Sequence, residues 1–227
     1  MGNRLLASLS QADVLRLQPM FKVVSLRQGQ VLNEPGDEID TVYFPHSGMI
    51  SLLVVMHDGT AVETATAGNE GVVGAMAGLG LRTTMTRAAV QTPLVASQIA
   101  ATHLRRAVHA SSALRDLIVR YNEELLGQVQ ITAACNATHP LQTRLARWIL
   151  QTKDRTEGEV IPLTQELIAE MLAVRRSSVS EIAGKLQAAG LIRYSRGSIE
   201  IINRKALEES ACECYETIKK LAEASLR

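Results

Sequence analysis

The sequence predicts an α+β protein with an N-terminal β-barrel of the jelly-roll type, a long central helix, and a C-terminal helix pair followed by a β-hairpin. Turn-forming residues recur every 7 to 12 residues between Met20 and Gln98, a spacing typical of barrels and jelly rolls. An uninterrupted helical pattern then covers residues 111–137. The last third of the chain combines two short amphipathic helical patterns with an alternating run.

Length and composition indicate an ordinary globular protein. The 227 residues are 46% hydrophobic and 21% charged, which suits two modest domains. The longest run rich in apolar residues, Met49–Met56, is far shorter than the ~20 residues that cross a bilayer, and MGNRLLASLS lacks the apolar region of a signal peptide. We therefore expect a cytoplasmic protein without a membrane partner. The three cysteines are too few for a disulfide framework.

The N-terminal region predicts one helix and many short strands. Residues 5–18 form an amphipathic pattern with a break near Ser10. Short β-branched runs follow, among them TVYF, MISLLVVM and TAVETAT. Asp58-Gly59 separates two of these runs and predicts a type I′ hairpin turn with positive φ at both residues. Residues 100–108 predict a short helix.

The central helix carries apolar and small polar residues that alternate by four and three, as in a heptad seam. We predict from this pattern that the helix pairs with a second copy of the chain; the alternative is a helix packed on its own barrel. The seam consists of Leu114, Ile118, Tyr121, Leu125, Gln128, Thr132 and Cys135.

A hinge and further helices are predicted beyond this seam. Proline disfavours the helical conformation of the preceding residue, so His139-Pro140 is a hinge candidate. A helix over Leu141–Lys153, a polar loop over 154–160 and a terminal helix over 204–226 follow. Residues 140–206 hold eleven Lys/Arg against seven Asp/Glu, the sign expected of a polyanion-binding module.

The stretch from Thr164 to Ile202 predicts a winged helix-turn-helix. Thr164 can cap a first helix whose apolar face carries Leu167, Ile168, Met171 and Leu172. Residues 173–175 form the turn, and a second helix runs over 177–189 until Gly190. The alternating residues 191–202 surround Arg196-Gly197 and predict the hairpin that forms the wing.

The outward side of the second helix is polar and basic, which suits the DNA major groove. Arg176 at the helix entrance can reach a guanine edge with two hydrogen bonds, and Ser177 and Ser178 can bind phosphate or cap the helix. Glu181 has two alternative roles, accepting from a cytosine or completing a capping box with Ser178. The predicted DNA-contacting residues are Thr164, Gln165, Arg175, Arg176, Ser177, Ser178, Ser180, Glu181, Lys185 and Arg196.

The run LTQELIAEMLAVRRSSVSEIAGKLQAAGLI with the RGSIEI wing resembles the cyclic-AMP receptor/FNR (Crp/Fnr) superfamily of bacterial transcription regulators. The resemblance implies a cyclic-nucleotide-binding-like sensor barrel (1–110), a dimerisation helix and hinge (111–139), and a DNA-binding domain (140–227). Arg176 matches the family's base-reading arginine. Ser177 and Glu181 stand where the family often has Glu and Arg, which implies a different base preference.

We therefore expect a homodimeric regulator that binds near-palindromic double-stranded DNA. RNA polymerase and a small-molecule effector are candidate further partners. The alternative is a ligand-sensing barrel whose helical module binds a protein. Enzyme readings fail because the sequence lacks His-Glu-x-x-His, Gly-x-Ser-x-Gly and P-loop motifs, and GLGLRT lacks the third glycine of a dinucleotide fingerprint.

The effector site that the resemblance implies departs from the family's cyclic-AMP pattern at three contact points. Gly74 is followed by Ala75 instead of Glu, the phosphate-binding arginine falls near Thr84 or Thr86, and Val129-Gln130 replaces a Thr-Ser pair. A buried phosphate without a partner would be unfavourable, so cyclic AMP is not expected. The candidate pocket residues are Gly74, Ala75, Met76, Thr84, Thr86, Arg87, Val129 and Gln130, with Arg82 as a second flanking arginine.

No cofactor is expected. Residues 1–30 contain no cysteine, unlike the iron–sulfur branch of the superfamily. A lone histidine is usually a polar surface residue, and a haem ligand is the alternative role for His46, His57, His103 or His109. Cys135, His139, Cys212 and Cys214 could hold zinc if the two ends of the pattern met. Cysteines buried as small apolar side chains are the default interpretation.

Overall fold

The computed structural model describes residues 2–226 as a sheet domain, a long helix and a C-terminal helical module, which confirms the predicted fold class. The helices are α1 (Arg4–Ala7), α2 (Gln11–Leu17), α3 (Ala101–Ala110), α4 (Ser112–Thr138), α5 (Leu141–Arg155), α6 (Gln165–Leu172), α7 (Arg176–Ala188), α8 (Arg204–Ser210) and α9 (Cys214–Ser225). The strands are β1 (Lys22–Leu26), β2 (Val31–Asn33), β3 (Thr41–Val55), β4 (Ala61–Ala67), β5 (Arg87–Ala100), β6 (Val160–Pro162), β7 (Ile192–Ser195) and β8 (Ser198–Ile201). Within residues 2–226, no helix combines the length and hydropathy of a transmembrane span.

The N-terminal sheet is jelly-roll-like and antiparallel, and it does not close into a barrel. Its strand order is β1-β5-β3-β4, with β2 also paired to β5. The prediction of many short strands was wrong for β3 and β5, which are 15 and 14 residues long. The turn signals at Gly48 and Pro93 mark irregularities in the pairing of β3 with β5 instead of chain reversals. Gly48 has φ 82°, and such a bulge bends a strand without ending it.

The β3–β4 hairpin differs from the predicted type I′ turn. Gly59 has φ 86°, but Asp58 is not among the positive-φ residues of the described chain. The Gly59 amide donates to the Met56 carbonyl at 2.9 Å, and the Met56 amide donates to the Thr60 carbonyl at 2.8 Å. A longer loop with one left-handed glycine is therefore formed, and the Asp58 carboxylate accepts from the Thr60 amide at 2.9 Å.

The helical predictions are confirmed except at the C-terminus. The first helical segment, α1, ends at Ala7, and Ser10 caps α2 by accepting from the Asp13 amide. His139 has an extended backbone (φ −98°, ψ 140°) between α4 and α5, as expected before proline. The predicted single helix over 204–226 is instead two helices, since the chain turns at 211–213 between α8 and α9. A third strand that was not predicted, β6, pairs with β8 beside the wing.

One apolar core joins the sheet domain to the C-terminal module. Met49, Leu53 and Ala61 of β3 and β4 pack in the same buried cluster as Trp148 of α5 and Ile168 of α6. A second cluster unites α1 to α3 with the first half of α4. The helix-turn-helix is therefore held against its own sheet domain in this conformation.

Candidate nucleic-acid interface and sensor pocket

The helix-turn-helix is formed by α6, a turn at 173–175 and α7. The Thr164 hydroxyl caps α6 by accepting from the Leu167 amide at 3.2 Å. Ala173 takes the left-handed conformation with φ 52° and redirects the chain. The inward face of α7 is apolar, with Val179, Ala183 and Leu186 buried. This underside fixes the direction in which the opposite face of α7 points.

The outward face of α7 is exposed and polar. The Arg176 side chain is 66% exposed and forms an ion pair with Glu166 of α6 at 2.8 Å, an exposed contact that is weak in water. Ser180 is half-buried, and its hydroxyl donates to Gln165 of α6. The predicted contact residues Ser180 and Gln165 therefore bridge α7 and α6. The other predicted residues of α7 and its entrance are exposed or half-buried: Arg175, Ser177, Ser178, Glu181 and Lys185.

The capping-box alternative for Glu181 is not realised. The residue that precedes α7 is Arg175, which makes no side-chain capping hydrogen bond, and the Ser178 amide is satisfied by the Arg175 carbonyl at 3.0 Å. Glu181 pairs with Lys185, one helical turn on, at 2.7 Å. The hydrogen bond from Lys185 lowers the pKa of Glu181. The Glu181 carboxylate is therefore charged and outward-facing.

The wing is a tight two-residue hairpin. Arg196 and Gly197 both have positive φ, 49° and 78°, which is the type I′ geometry. The strands β7 and β8 pair in register from Ile192–Ile201 to Ser195–Ser198. This turn leaves Arg196 exposed at the tip.

A cavity of about 260 Å³ lies between the sheet domain and α4. Five of the predicted pocket residues line it: Gly74, Ala75, Met76, Thr84 and Thr86. Helix α4 contributes Ile118, Tyr121, Asn122 and Leu125. None of the described residues that line it is charged. The cavity is therefore apolar, with hydroxyl and amide groups at its edges.

Three of the predicted pocket residues do not line this cavity. Arg87 does not line the cavity, and its Nε donates to the Glu34 carboxylate at 2.9 Å instead. Val129 and Gln130 lie beyond the cavity, because α4 contributes residues one to three turns earlier. Val129 and Gln130 therefore contribute nothing to the cavity of this single chain.

The predicted dimer seam is buried within the chain, so its assignment to an interchain contact is corrected. Leu114, Ile118 and Tyr121 pack in the sheet-domain core, with half-buried Leu125 against it. The Gln128 side chain accepts from the Thr66 amide at 2.6 Å. Thr132 and Cys135 are buried as well. The alternative, a helix packed on its own barrel, describes these residues.

The opposite face of α4 is exposed and has its own heptad spacing. Val119 and Leu126 are 52% and 47% exposed, and Ala133, seven residues further on, is exposed as well. We call Val119, Leu126 and Ala133 the α4 ridge. The seven-residue spacing of the α4 ridge is visible in the sequence, but the predicted seam has more apolar residues and was chosen as the dimer contact.

Buried polar contacts join α5 to the sheet domain. Trp148 Nε1 donates to Glu63 at 2.8 Å, and Arg155 pairs with Glu70 at 2.6 Å with both side chains largely buried. Burial raises the pKa of Glu63, whereas Arg155 outweighs burial and lowers the pKa of Glu70. Sequence spacing does not encode these contacts, because the partners are 85 residues apart in the chain.

The two halves of the sequence-predicted zinc pattern meet. One ligand atom from each of Cys135, His139, Cys212 and Cys214 lies within 4.8 Å of all the others. Burial raises the pKa of Cys214 to about 12, with added repulsion from Cys212 and Cys135. Burial would also raise the pKa of Cys135, but the Arg147 charge and hydrogen bonds within the cluster lower it. The three cysteines pack together as a buried cluster with Ile131 against it, and His139 adds a nitrogen to the same group.

Comparisons with known proteins agree with this architecture. The family model of the Crp-like helix-turn-helix domain matches residues 143–210, and that of the cyclic nucleotide-binding domain matches residues 23–111. A sequence comparison with curated proteins found no match.

Solved structures of regulators share the fold at low sequence identity. FixK2 from Bradyrhizobium japonicum is 15% identical with a TM-score of 0.72, over 85% of this chain and 98% of that one. The c-di-GMP-responsive regulator CLP from Xanthomonas campestris is 18% identical with a TM-score of 0.67, over 85% and 99%. TTHB099, a CRP-family regulator from Thermus thermophilus, is 22% identical with a TM-score of 0.67, over 83% and 96%. With both domain models matched in this order, the chain belongs to the Crp/Fnr superfamily of transcription regulators, and it carries their helix-turn-helix DNA-binding domain.

Proposed function

We propose that this regulator acts in the cytoplasm as a homodimer that binds a near-palindromic operator through α7. The observation that carries the proposal is the exposed polar face of α7, held outward by a buried apolar underside, with Arg176 at its entrance. The guanidinium is the group that reads guanine with two hydrogen bonds. Ser177 and the wing residue Arg196 are positioned for phosphate contacts. The proposed DNA-binding domain is residues 140–227.

We further propose that dimerisation uses the α4 ridge in place of the predicted seam. The ridge is apolar and exposed, and a repeat of seven suits pairing with the same helix of a second copy. A symmetric pair would present two α7 helices, which must lie about 34–36 Å apart to enter successive major grooves. The residues 111–139 then form the dimerisation segment and hinge.

The cavity suggests the class of effector. Its described lining is uncharged, so a cyclic phosphate would lose its hydration without gaining a cationic partner. A small, weakly polar molecule fits this lining better than cyclic AMP. Because α4 contributes part of the cavity wall, such a ligand would shift the population of dimer geometries through α4 and the hinge at 136–140.

DNA binding is tested by gel shift on operators selected from genomic fragments, at rising salt. Affinity should fall steeply with salt, since phosphate contacts release counterions. Arg176→Ala should lose about 1–3 kcal/mol on the selected site and relax discrimination at one base. The control is Arg106→Ala, which removes an exposed arginine from α3 and should leave both properties unchanged.

Two results would contradict the proposal. A protein that shifts none of the genomic fragments, even at low salt, would favour the alternative in which the module binds a protein. Sequence preference that is the same in Arg176→Ala and in the wild type would remove Arg176 from base reading.

A further inference from the structure

The convergence of three cysteines and one histidine lies at the junction between α4 and α5. Cys135 is in the last turn of α4, and His139 directly follows this helix. Cys212 lies in the turn between α8 and α9, and Cys214 begins α9. The three cysteines are the only cysteines of the whole chain, and all are 7% exposed or less. The fold therefore brings every thiol of the protein to one point beside the hinge.

Two of the distances between ligand atoms are close to the edges of a tetrahedron around one ion, and the four atoms all lie within 4.8 Å of one another. Zn–S bonds of about 2.3 Å place thiolate corners about 3.8 Å apart, and a Zn–N bond of about 2.0 Å shortens the mixed edges slightly. The Cys135 and Cys212 Sγ atoms are 3.5 Å apart, and Cys214 Sγ lies 3.6 Å from His139 Nδ1. We propose that Cys135, His139, Cys212 and Cys214 form a closed Cys3His site for a single Zn²⁺ ion.

The surroundings of the site support a metal. His139 presents Nδ1 to Cys214, while its other ring nitrogen, Nε2, lies 3.2 Å from the Glu213 carboxylate. Zinc-binding histidines commonly have this outer carboxylate, because it fixes the tautomer that leaves the inner nitrogen free to bind. Three thiolates and a neutral imidazole around Zn²⁺ carry a net charge of −1. The buried Arg147, which interacts electrostatically with Cys135 and Cys212, supplies the opposite charge.

Single-ion binding is favoured over two other uses of the thiols. An iron–sulfur cluster spreads its four protein ligands over two or more iron atoms, whereas these four ligand atoms all fall within 4.8 Å. A Cys135–Cys212 disulfide would leave Cys214 and His139 without a role. Four protein ligands leave no open position, so the site is structural. Bound zinc would fasten the turn between α8 and α9 to the end of α4, next to the hinge at 136–140.

Metal content tests the site directly. Untagged full-length protein, purified without chelators, should contain about one zinc per chain by elemental analysis. Cys214→Ser should lose most of this zinc, whereas His109→Ala, which removes an exposed histidine from α3, should retain it. Replacement by Co²⁺ should give the visible spectrum of a tetrahedral thiolate complex in the wild type and not in Cys214→Ser. Circular dichroism of each variant establishes that the fold is retained.

Several results would overturn the proposal. They are zinc well below one per chain in the wild type, equal zinc in wild type and Cys214→Ser, iron with sulfide in place of zinc, and a Cys135–Cys212 disulfide in intact-mass analysis. The wild-type metal content decides the question even if Cys214→Ser fails to fold. DNA binding is measured separately, so that a failure of the zinc site and a failure of the regulator function can be told apart.

Discussion

Among single residues, Glu124 on α4 has the least ordinary environment for its charge. It is 6% exposed and lies close enough to Glu70 and Arg155 to interact with both. Burial and the negative charge of Glu70 raise its pKa to about 7, and Arg155 offsets only part of this effect. The folded protein therefore prefers the protonated form of Glu124 over a pH range in which the unfolded chain has already lost that proton.

The pH dependence of stability follows from this shift. A raised pKa makes a contribution to stability that is fully present below the unfolded value of 4.5 and is lost as the pH rises through about 7. The loss is on the order of 3 kcal/mol of unfolding free energy. Glu124→Gln should remove this slope, while Glu123→Gln, which changes an exposed neighbour, should keep it. Urea unfolding at pH 5 to 8 and fixed protein concentration measures the difference, and parallel curves for wild type and Glu124→Gln would contradict the prediction.

At the scale of elements, α4 shows what a sequence pattern can and cannot specify. The heptad pattern predicted the helix and its buried face correctly. It could not identify what covers that face, because a second copy and the chain's own sheet both need an apolar stripe. Leu114 and Tyr121 pack in the sheet-domain core of their own chain. The exposed residues Val119 and Leu126, which also lie seven apart, were not predicted as an interface.

Long-range contacts limited the site predictions in the same way. The α7 face could be predicted from local signals, namely the Thr164 cap and the spacing of Val179, Ala183 and Leu186. The positions of Arg87 and Val129 relative to the cavity depend on how strands and helices meet, which spacing does not encode. The convergence of Cys135 with Cys212 required the turn at 211–213, which the helical pattern did not reveal.

Dimerisation through the α4 ridge can be tested at Leu126. In a symmetric interface Leu126→Glu would bring two carboxylates together in an apolar contact, which costs several kcal/mol. We expect a monomer by analytical ultracentrifugation and a large loss of operator affinity. Leu15→Glu on α2 is the matched control, since Leu15 is 59% exposed away from the ridge. A Leu126→Glu variant that remains dimeric would exclude the ridge as the interface.

At the scale of the whole molecule, both sides of the hinge are anchored to the sheet domain. The first half of α4 packs in its core, and α5 is docked through Trp148–Glu63 and Arg155–Glu70. A movement at 136–140 therefore cannot occur while α5 remains docked. Separating a buried ion pair so that each charge is left alone costs about 3–5 kcal/mol, unless water reaches both groups. The hinge mechanism thus requires a second state in which this interface is hydrated.

The single tryptophan of the chain reports on this second state. Trp148 is 1% exposed in the docked arrangement, so acrylamide should quench its fluorescence weakly. If operator binding uses the hinge, saturating operator DNA should increase the quenching and shift the emission to longer wavelengths, because withdrawal of α5 exposes the indole.

Arg155→Ala should increase the quenching of Trp148 without DNA, since it leaves Glu70 buried and unpaired. Arg204→Ala breaks a more exposed pair with Asp154 and should leave the quenching unchanged. Arg176→Ala with the same DNA controls for optical effects of the duplex. Unchanged Trp148 quenching on operator binding would show that the recognition helices adjust while α5 stays docked, and would locate the conformational change in the α4 pair instead of the hinge.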